Sequence, residues 1–502
     1  MGGCLTPNVS DIICEQTKSE LKQLRSIRIL ECLIAFWLLG SSYSGTAEVS
    51  LGPLAHTFES TLNKGLRKEF FGPLLYRESY EATKTWGIPF VFTRSKNESI
   101  DADEWDLFYP FLGYDRFGEE YRLQLLQFIN AHGGKGSDQS EAKRLAIFPF
   151  YFQQRSTQPE DNYTAFLPFY GHMKNKLLRD EIDFVLWPLY VKTKKKDVIT
   201  QNYLAPVFHL RKGDALSGWQ VWPLAGWETK EPTSRTLMTG DEETIPGHRR
   251  LMLIWPFFFN HHNGIGTENP QKQSAFVPFY SYLKSPNRDS ITTPWPIGFT
   301  RTHDREKQFR EYGFPWPILI WADGAGKTTR RFWPLFGLNY NDTLRSDFAL
   351  WPIYRYRERK TKTTSRGRHQ LLWYLYSHVE ERNLPSGDTS YERWSFWPLF
   401  TTERRENGDR RFQALAILEP ILPGNESIER NYSHAWSIWR SETNGDTGKS
   451  SQSLLWNLYR SETSVQSRKV SFFFGLFQYQ QKERNRQWRL FFIPFGSSFA
   501  TP

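Results

Sequence analysis

One short phrase, repeated along most of the chain, limits the fold more than any other feature. It runs as an aromatic or aliphatic residue, often Trp, then Pro, then an aliphatic residue or Phe, then Phe or Tyr. It reads Phe148-Pro149-Phe150-Tyr151, Leu167-Pro168-Phe169-Tyr170, Trp187-Pro188-Leu189-Tyr190, Trp255-Pro256-Phe257-Phe258, Trp333-Pro334-Leu335-Phe336, Trp351-Pro352-Ile353-Tyr354 and Trp397-Pro398-Leu399-Phe400. Looser copies centre on Pro53, Pro73, Pro89, Pro110, Pro206, Pro223, Pro278, Pro296, Pro317, Pro420 and Pro494. Toward the C-terminus the slot takes other residues, as in Trp373-Tyr374-Leu375-Tyr376 and Trp456-Asn457-Leu458-Tyr459, so Pro is favoured there and dispensable. Such self-similarity marks an array of one supersecondary unit.

Most slots lie 16 to 24 residues apart. Around each, five to seven residues rich in Phe, Tyr, Trp, Leu and Ile read as strand rather than helix. Turn signals such as Asp115-Arg116-Phe117-Gly118, Lys212-Gly213-Asp214 and Asn407-Gly408-Asp409 fill the gaps. A strand of about 10 to 12 residues with Pro at its middle, plus a short turn, accounts for the period, and turns that short join antiparallel neighbours. The expected fold is all-β, an antiparallel up-and-down meander of about 22–24 strands. Residues 48–502 form one β-repeat domain, with a polar loop insertion near 228–248.

An open meander of that size exposes edges and rarely stays flat, so closure into a large β-barrel is the expected remedy. A soluble β-sandwich or solenoid is the alternative, because residues on both faces are apolar at the slot. Two features sit awkwardly in a barrel wall. A mid-strand Pro removes a ladder hydrogen bond, and Trp lies at the centre of the unit rather than at the borders of a lipid band.

Residues 1–47 read as an N-terminal extension and secretory signal peptide. Lys22, Arg25 and Arg28 precede the apolar run from Ile29 to Leu39, and Gly45 and Ala47 occupy the positions before a cut at Glu48. Cys4, Cys14 and Cys32 all precede that cut, so disulfides, thiolate chemistry and Cys-ligated metals are not expected in the mature chain. The formal charge of +10 stays with the mature part, much of it in runs such as Lys192, Lys194, Lys195 and Lys196, and Arg355, Arg357, Arg359 and Lys360.

The serial slots and the N-terminal segment together resemble a group of uncharacterised bacterial envelope proteins with Trp-Pro-Leu-Phe-like β-strand repeats. The resemblance covers nearly all of the mature chain and implies a compartment, but no activity and no site residues.

Catalytic signatures are absent from the sequence. Ala325-Gly326-Lys327-Thr328 lacks the leading glycine of a phosphate loop, since Trp321 stands there, and reads as a turn. His261 and His262 are adjacent on a strand and point to opposite faces, so they do not share a metal. Asp241, Glu242 and Glu243 in the polar insertion form a candidate binding loop. No catalytic, cofactor or metal residue is assigned, and the slot residues Pro149, Pro168, Pro188, Pro256, Pro334, Pro352 and Pro398 are structural.

The expected function is a non-enzymatic cell-envelope protein. As an exported outer-membrane β-barrel it would act as channel, transport platform or structural element. The alternative is a periplasmic or secreted scaffold that binds an extended acidic or sugar partner. Outer-membrane lipid or envelope polysaccharide is the expected partner and nucleic acid is not, with no cofactor.

Overall fold

The computed structural model describes residues 51–63, 65–135, 141–236, 242–483, 485–491 and 493–496. The expected extension and signal at 1–47, the three cysteines and Asp241 lie outside the described residues.

Each repeat folds as two strands joined at the slot. Strand Leu344–Ala349 ends before Leu350-Trp351-Pro352-Ile353, and strand Tyr354–Lys360 starts after it, with Ala349 opposite Tyr354 and Phe348 opposite Arg355. Pro188 lies between Arg179–Val185 and Tyr190–Lys195, and Pro256 between Gly247–Leu253 and Phe258–Ile265. Pro149, Pro168, Pro334 and Pro398 also sit in turns between paired strands, and the peptide bond before each of the seven prolines is cis. The expectation of one long strand with Pro at its middle is therefore corrected. A residue without an N–H costs a ladder bond inside a strand, but none in a turn.

The doubling sets the strand count. The main sheet has 43 strands, against the 22–24 expected, and a two-stranded hairpin stands beside it. Within a repeat the period divides into a strand, a two-residue turn such as Lys196-Asp197, a second strand and the slot turn. Every pairing is antiparallel and joins chain neighbours, except that Ala225–Lys230 pairs with Gly247–Leu253 around the hairpin Thr233–Thr236 and Glu242–Ile245. The all-β antiparallel meander is thus what the chain forms.

The barrel is not closed. Among the described residues, the first strand, Ala55–Glu59, pairs only with Gly65–Phe70, and the last, Ile493–Gly496, only with Asn485–Leu490. Instead, strands near the two ends of the sheet are clasped by side chains, as the packed-sheet alternative allows. The clasp is built on a helical stretch, 426–436, which Asn425 caps by accepting from the Ile428 N–H at 3.0 Å. Asn431 donates to Asp106 at 2.9 Å and accepts from Thr93 at 3.1 Å, while its backbone carbonyl accepts from the Phe90 N–H at 3.0 Å. Arg430 pairs with Glu104 and Asp106, and its carbonyl accepts from the Tyr76 hydroxyl at 2.9 Å. Further along, Asn457 donates to Glu69 at 2.8 Å, and the Arg460 guanidinium lies 3.9 Å from the Phe58 ring centre.

Tyr76, His56 and Asn431 are almost wholly buried in this clasp. A polar interior of this kind holds only while its members stay paired. Replacing Arg430 with Ala leaves buried Asp106 without its cation and is expected to cost about 3–5 kcal/mol, read as a lower urea midpoint; an unchanged midpoint would show that the clasp carries no stability.

His56 gives the clasp a pH dependence. Burial, then the neighbouring Arg460 and Lys469, lowers its pKa from 6.5 to about 3. The unfolded chain binds the proton more readily, so this contribution is complete above pH 6.5 and is lost as pH falls toward 3. Between pH 7 and pH 4 we expect wild type to lose about 3 kcal/mol more stability than His56→Gln, measured as denaturation midpoints at the two pH values.

Candidate functional site

Because the slot turn recurs at the same end of every second strand, the meander lines these turns up along one edge of the sheet. They hydrogen-bond to one another. The N–H groups of Leu186 and Trp187 donate to the carbonyls of Phe169 and Pro168 at 2.5 and 2.6 Å. Those of Leu204 and Ala205 donate to Leu189 and Pro188 at 2.7 Å each, and those of Ile254 and Trp255 to Leu224 and Pro223 at 2.6 and 2.7 Å. Each turn is closed internally as well, as where the Leu189 N–H donates to the Leu186 carbonyl at 2.7 Å. In this ladder the Pro position supplies a carbonyl acceptor only. Any residue can provide that, and Asn457 does so in the place of Pro, its carbonyl accepting from the Phe474 N–H at 3.3 Å.

With their backbone groups satisfied by each other, the turns leave their side chains in solvent. Trp187, Leu189, Trp255, Leu350 and Trp351 are each 50–55% exposed, and the rest of the edge continues the pattern with Phe148, Phe150, Leu224, Ile254, Phe279, Trp333, Leu372, Trp373 and Leu399. The opposite edge carries short turns of another composition, such as Lys196-Asp197, Asp214-Ala215 and Thr361-Lys362-Thr363, with Leu177-Leu178 as an exception.

The gradient continues along the strands around Pro188. In the pair around Pro188, Val185 faces Tyr190 and Phe184 faces Val191 next to the slot; beyond them Asp183 faces Lys192 and Glu181 faces Lys194. The lysine run read from the sequence is therefore matched by carboxylates across the strand. Around Pro188, turn plus two strand residues gives an apolar band about 7–10 Å deep.

Backbone conformation shows that the apolar side chains are not there for the turn. The first residue of many slot turns has positive φ: Phe108 at 44°, Leu126 at 46°, Leu186 at 46°, Leu204 at 49°, Ile254 at 46°, Leu350 at 45°, Leu372 at 45° and Phe473 at 49°. Gly or Asn enters that region at far lower cost than a bulky residue. Repeated use of Leu, Ile and Phe at a costly position points to a requirement for the side chain outside the fold.

One face of the sheet also carries a hollow of about 670 Å³ that opens beside this edge, lined by Trp222, Trp255, Phe259, Gln220, Arg211 and Arg250 among others. Its central ion group is Glu228, engaged by Arg211 and His248, with Arg250 at 3.7 Å. Burial opposes ionisation of Glu228, but Arg211 and the His248 hydrogen bond hold its pKa below the usual carboxylate value. Burial lowers the pKa values of His209, His248 and His261.

The residues singled out from sequence take modest places. Glu242 and Glu243 lie exposed on the small hairpin, opposite Thr236 and Arg235. Glu228 and His248, at the two ends of the expected insertion, belong to strands of the main sheet instead. His261 lines the hollow and His262 is its neighbour on the same strand. The segment 325–327 is a turn between Leu319–Gly324 and Thr328–Phe332, with no helix after it, and Lys327 pairs with Glu311. Among the described residues no cluster of three or more His, Cys, Asp or Glu could hold a metal, and no helix is long and apolar enough to cross a membrane. No protein-family model and no curated protein matches the chain.

If the edge is built for its side chains, removing one should not harm the fold. Leu350→Asn, at a φ of 45°, is expected to leave the melting temperature unchanged or to raise stability by about 1 kcal/mol; a clear loss of stability would make that leucine part of the fold's own packing.

Proposed function

We propose that this is a non-enzymatic envelope protein that seats the apolar slot edge of its sheet in one leaflet of a lipid layer, serving as a platform or structural element on an outer-membrane surface. The observation that carries the reading is the continuous edge of exposed Trp, Leu, Ile and Phe held at turn positions where they are costly. Exposed apolar surface of this extent marks an interaction site rather than ordinary surface.

Strand length favours seating over spanning. The described strands have four to eight residues, whereas a transmembrane strand has about 9–11. An apolar band of roughly 7–10 Å corresponds to the depth at which interfacial segments sit. The charged half of each strand then stays in water, with basic residues such as Arg357 and Arg359 available to acidic head groups.

Flotation with vesicles tests this. The mature protein should float with vesicles of mixed zwitterionic and anionic lipid, and a triple variant Leu189→Asp, Leu224→Asp, Ile353→Asp should float at least about tenfold less well while keeping its β circular-dichroism spectrum. Equal flotation of wild type and variant would remove the edge from the interaction.

A further inference from the structure

We propose that the hollow between strands Val198–Tyr203 and Gln271–Phe276 is a binding site for an acidic sugar, a saccharide unit carrying a carboxylate or phosphate. The inference deepens the lipid-edge reading only in where the sugar comes from. The hollow itself stands on its own geometry.

One glycine keeps the floor of the hollow low. Gly226, which lines it, lies between Gln220 and Met252 across the strands. It has no positive φ, so the backbone does not require glycine there. A Cβ on Gly226 would press on Gln220 Cγ at 2.9 Å and Met252 Cε at 3.4 Å, two side chains that themselves line the hollow. Glycine inside a strand weakens it and often marks a site where something else approaches closely. The volume, about 670 Å³, falls within the 300–1,000 Å³ typical of small-molecule sites.

The walls differ in chemistry. Toward the slot edge stand Trp222 and Trp255, ring centres 6.1 Å apart and tilted by 44°, with Phe259 and Met252. Away from it stand Arg179, Arg211 and Arg250 with a single carboxylate, Glu228. Glu228 is already taken by Arg211 and His248, whereas Arg250 reaches it only at 3.7 Å and is half-exposed. The Arg250 Nε donates to Asn263 at 3.1 Å, which leaves the terminal nitrogens of the guanidinium as donors for an incoming anion. Asn202, Gln220, Gln273, His209 and His261 line the space between the walls, offering both donors and acceptors.

An apolar ring face, several neutral hydrogen-bonding groups and one available guanidinium match a hydroxyl-rich ring with an acidic substituent. A nucleotide fits less well, because two indoles tilted by 44° do not form a parallel slot for a base. The acidic sugar could reach the site as the head group of a glycolipid under the slot edge or as part of a free polysaccharide.

Tryptophan fluorescence of the full mature protein, titrated with oligogalacturonate, glucose 6-phosphate, glucose, uridine monophosphate and inorganic phosphate, tests the proposal. Saturable binding of an acidic sugar is expected, weakened at least tenfold by Arg250→Gln and by Trp255→Leu, with glucose bound far more weakly. Gly226→Ala should weaken it too, while Arg250→Gln, on an exposed side chain, controls for misfolding. Vesicles of phosphatidylethanolamine with and without lipid A separate the sources: an Arg250-dependent gain with lipid A alone assigns a glycolipid, and a response to oligogalacturonate alone assigns a polysaccharide. No response to any acidic sugar, equal binding by Arg250→Gln, a response to phosphate alone, or tighter binding of uridine monophosphate would overturn it. Arg250→Gln leaves the slot turns intact, so its vesicle flotation should equal wild type, and failure of the sugar site is distinguishable from failure of the lipid edge.

Discussion

The hydrogen bonding of one slot turn to the next is the constraint on which the rest of the structure depends. Donors from one turn go to carbonyls of the turn before, in several cases to the carbonyl of its Pro, as from Trp187 to Pro168 and from Trp255 to Pro223. Much of the main chain at this edge is thereby satisfied by the neighbouring turns, with some carbonyls taken by side chains, as where Gln370 donates to Trp373 at 3.2 Å. It follows that the slot side chains are released from any structural duty in the turn. The chain fills them with Trp, Leu, Ile and Phe all along the edge, so the sheet gains an apolar edge in addition to the alternation between its faces. The strand Arg179–Val185 keeps the usual alternation of a half-buried sheet, with Ile182 and Phe184 buried and Glu181 and Asp183 alternating with them on the other face, and Val185 and the slot turn extend it as an apolar end.

Such a sheet has little shared core. Each strand packs mainly on its chain neighbours, and the buried apolar cluster of Tyr163, Ala165, Met173, Ile182 and Phe184 is local. Stability is then close to a sum of neighbour terms, as in other repeat arrays. The exception is the clasp between residues 56–109 and 425–460, where Asn431, Arg430 and Tyr76 bring together parts of the chain more than 300 residues apart. Its groups are polar and ionised, so its strength is tied to pairing and to protonation rather than to buried area.

Much of the architecture was legible because the slot is periodic. The spacing of Pro149, Pro168 and Pro188 showed an array, the aromatic content showed strands, and short polar gaps showed antiparallel neighbours. The strand number was not legible, because an apolar three- or four-residue turn has the same composition as the strands on either side. The difficulty of a mid-strand Pro was the available signal that the chain reverses there. The helical stretch 426–436 was hidden because Pro420, just before it, imitates a slot, and the clasp it forms has no periodic trace. The hollow has no trace in the sequence for a different reason: Gly226 sits singly in an unremarkable strand, and only its cross-strand neighbours Gln220 and Met252 place it at the hollow.

The central claim is that the slot edge lies in lipid. The most direct measurement is quenching of intrinsic tryptophan fluorescence by vesicles whose acyl chains are brominated at defined depths. Slot residues Trp187, Trp255, Trp333 and Trp351 should be quenched most by bromines in the outer part of the chains and little by those near the bilayer centre, as a band roughly 7–10 Å deep requires. Vesicle-bound protein with no quenching at any depth, or with the strongest quenching at the centre, would contradict the account.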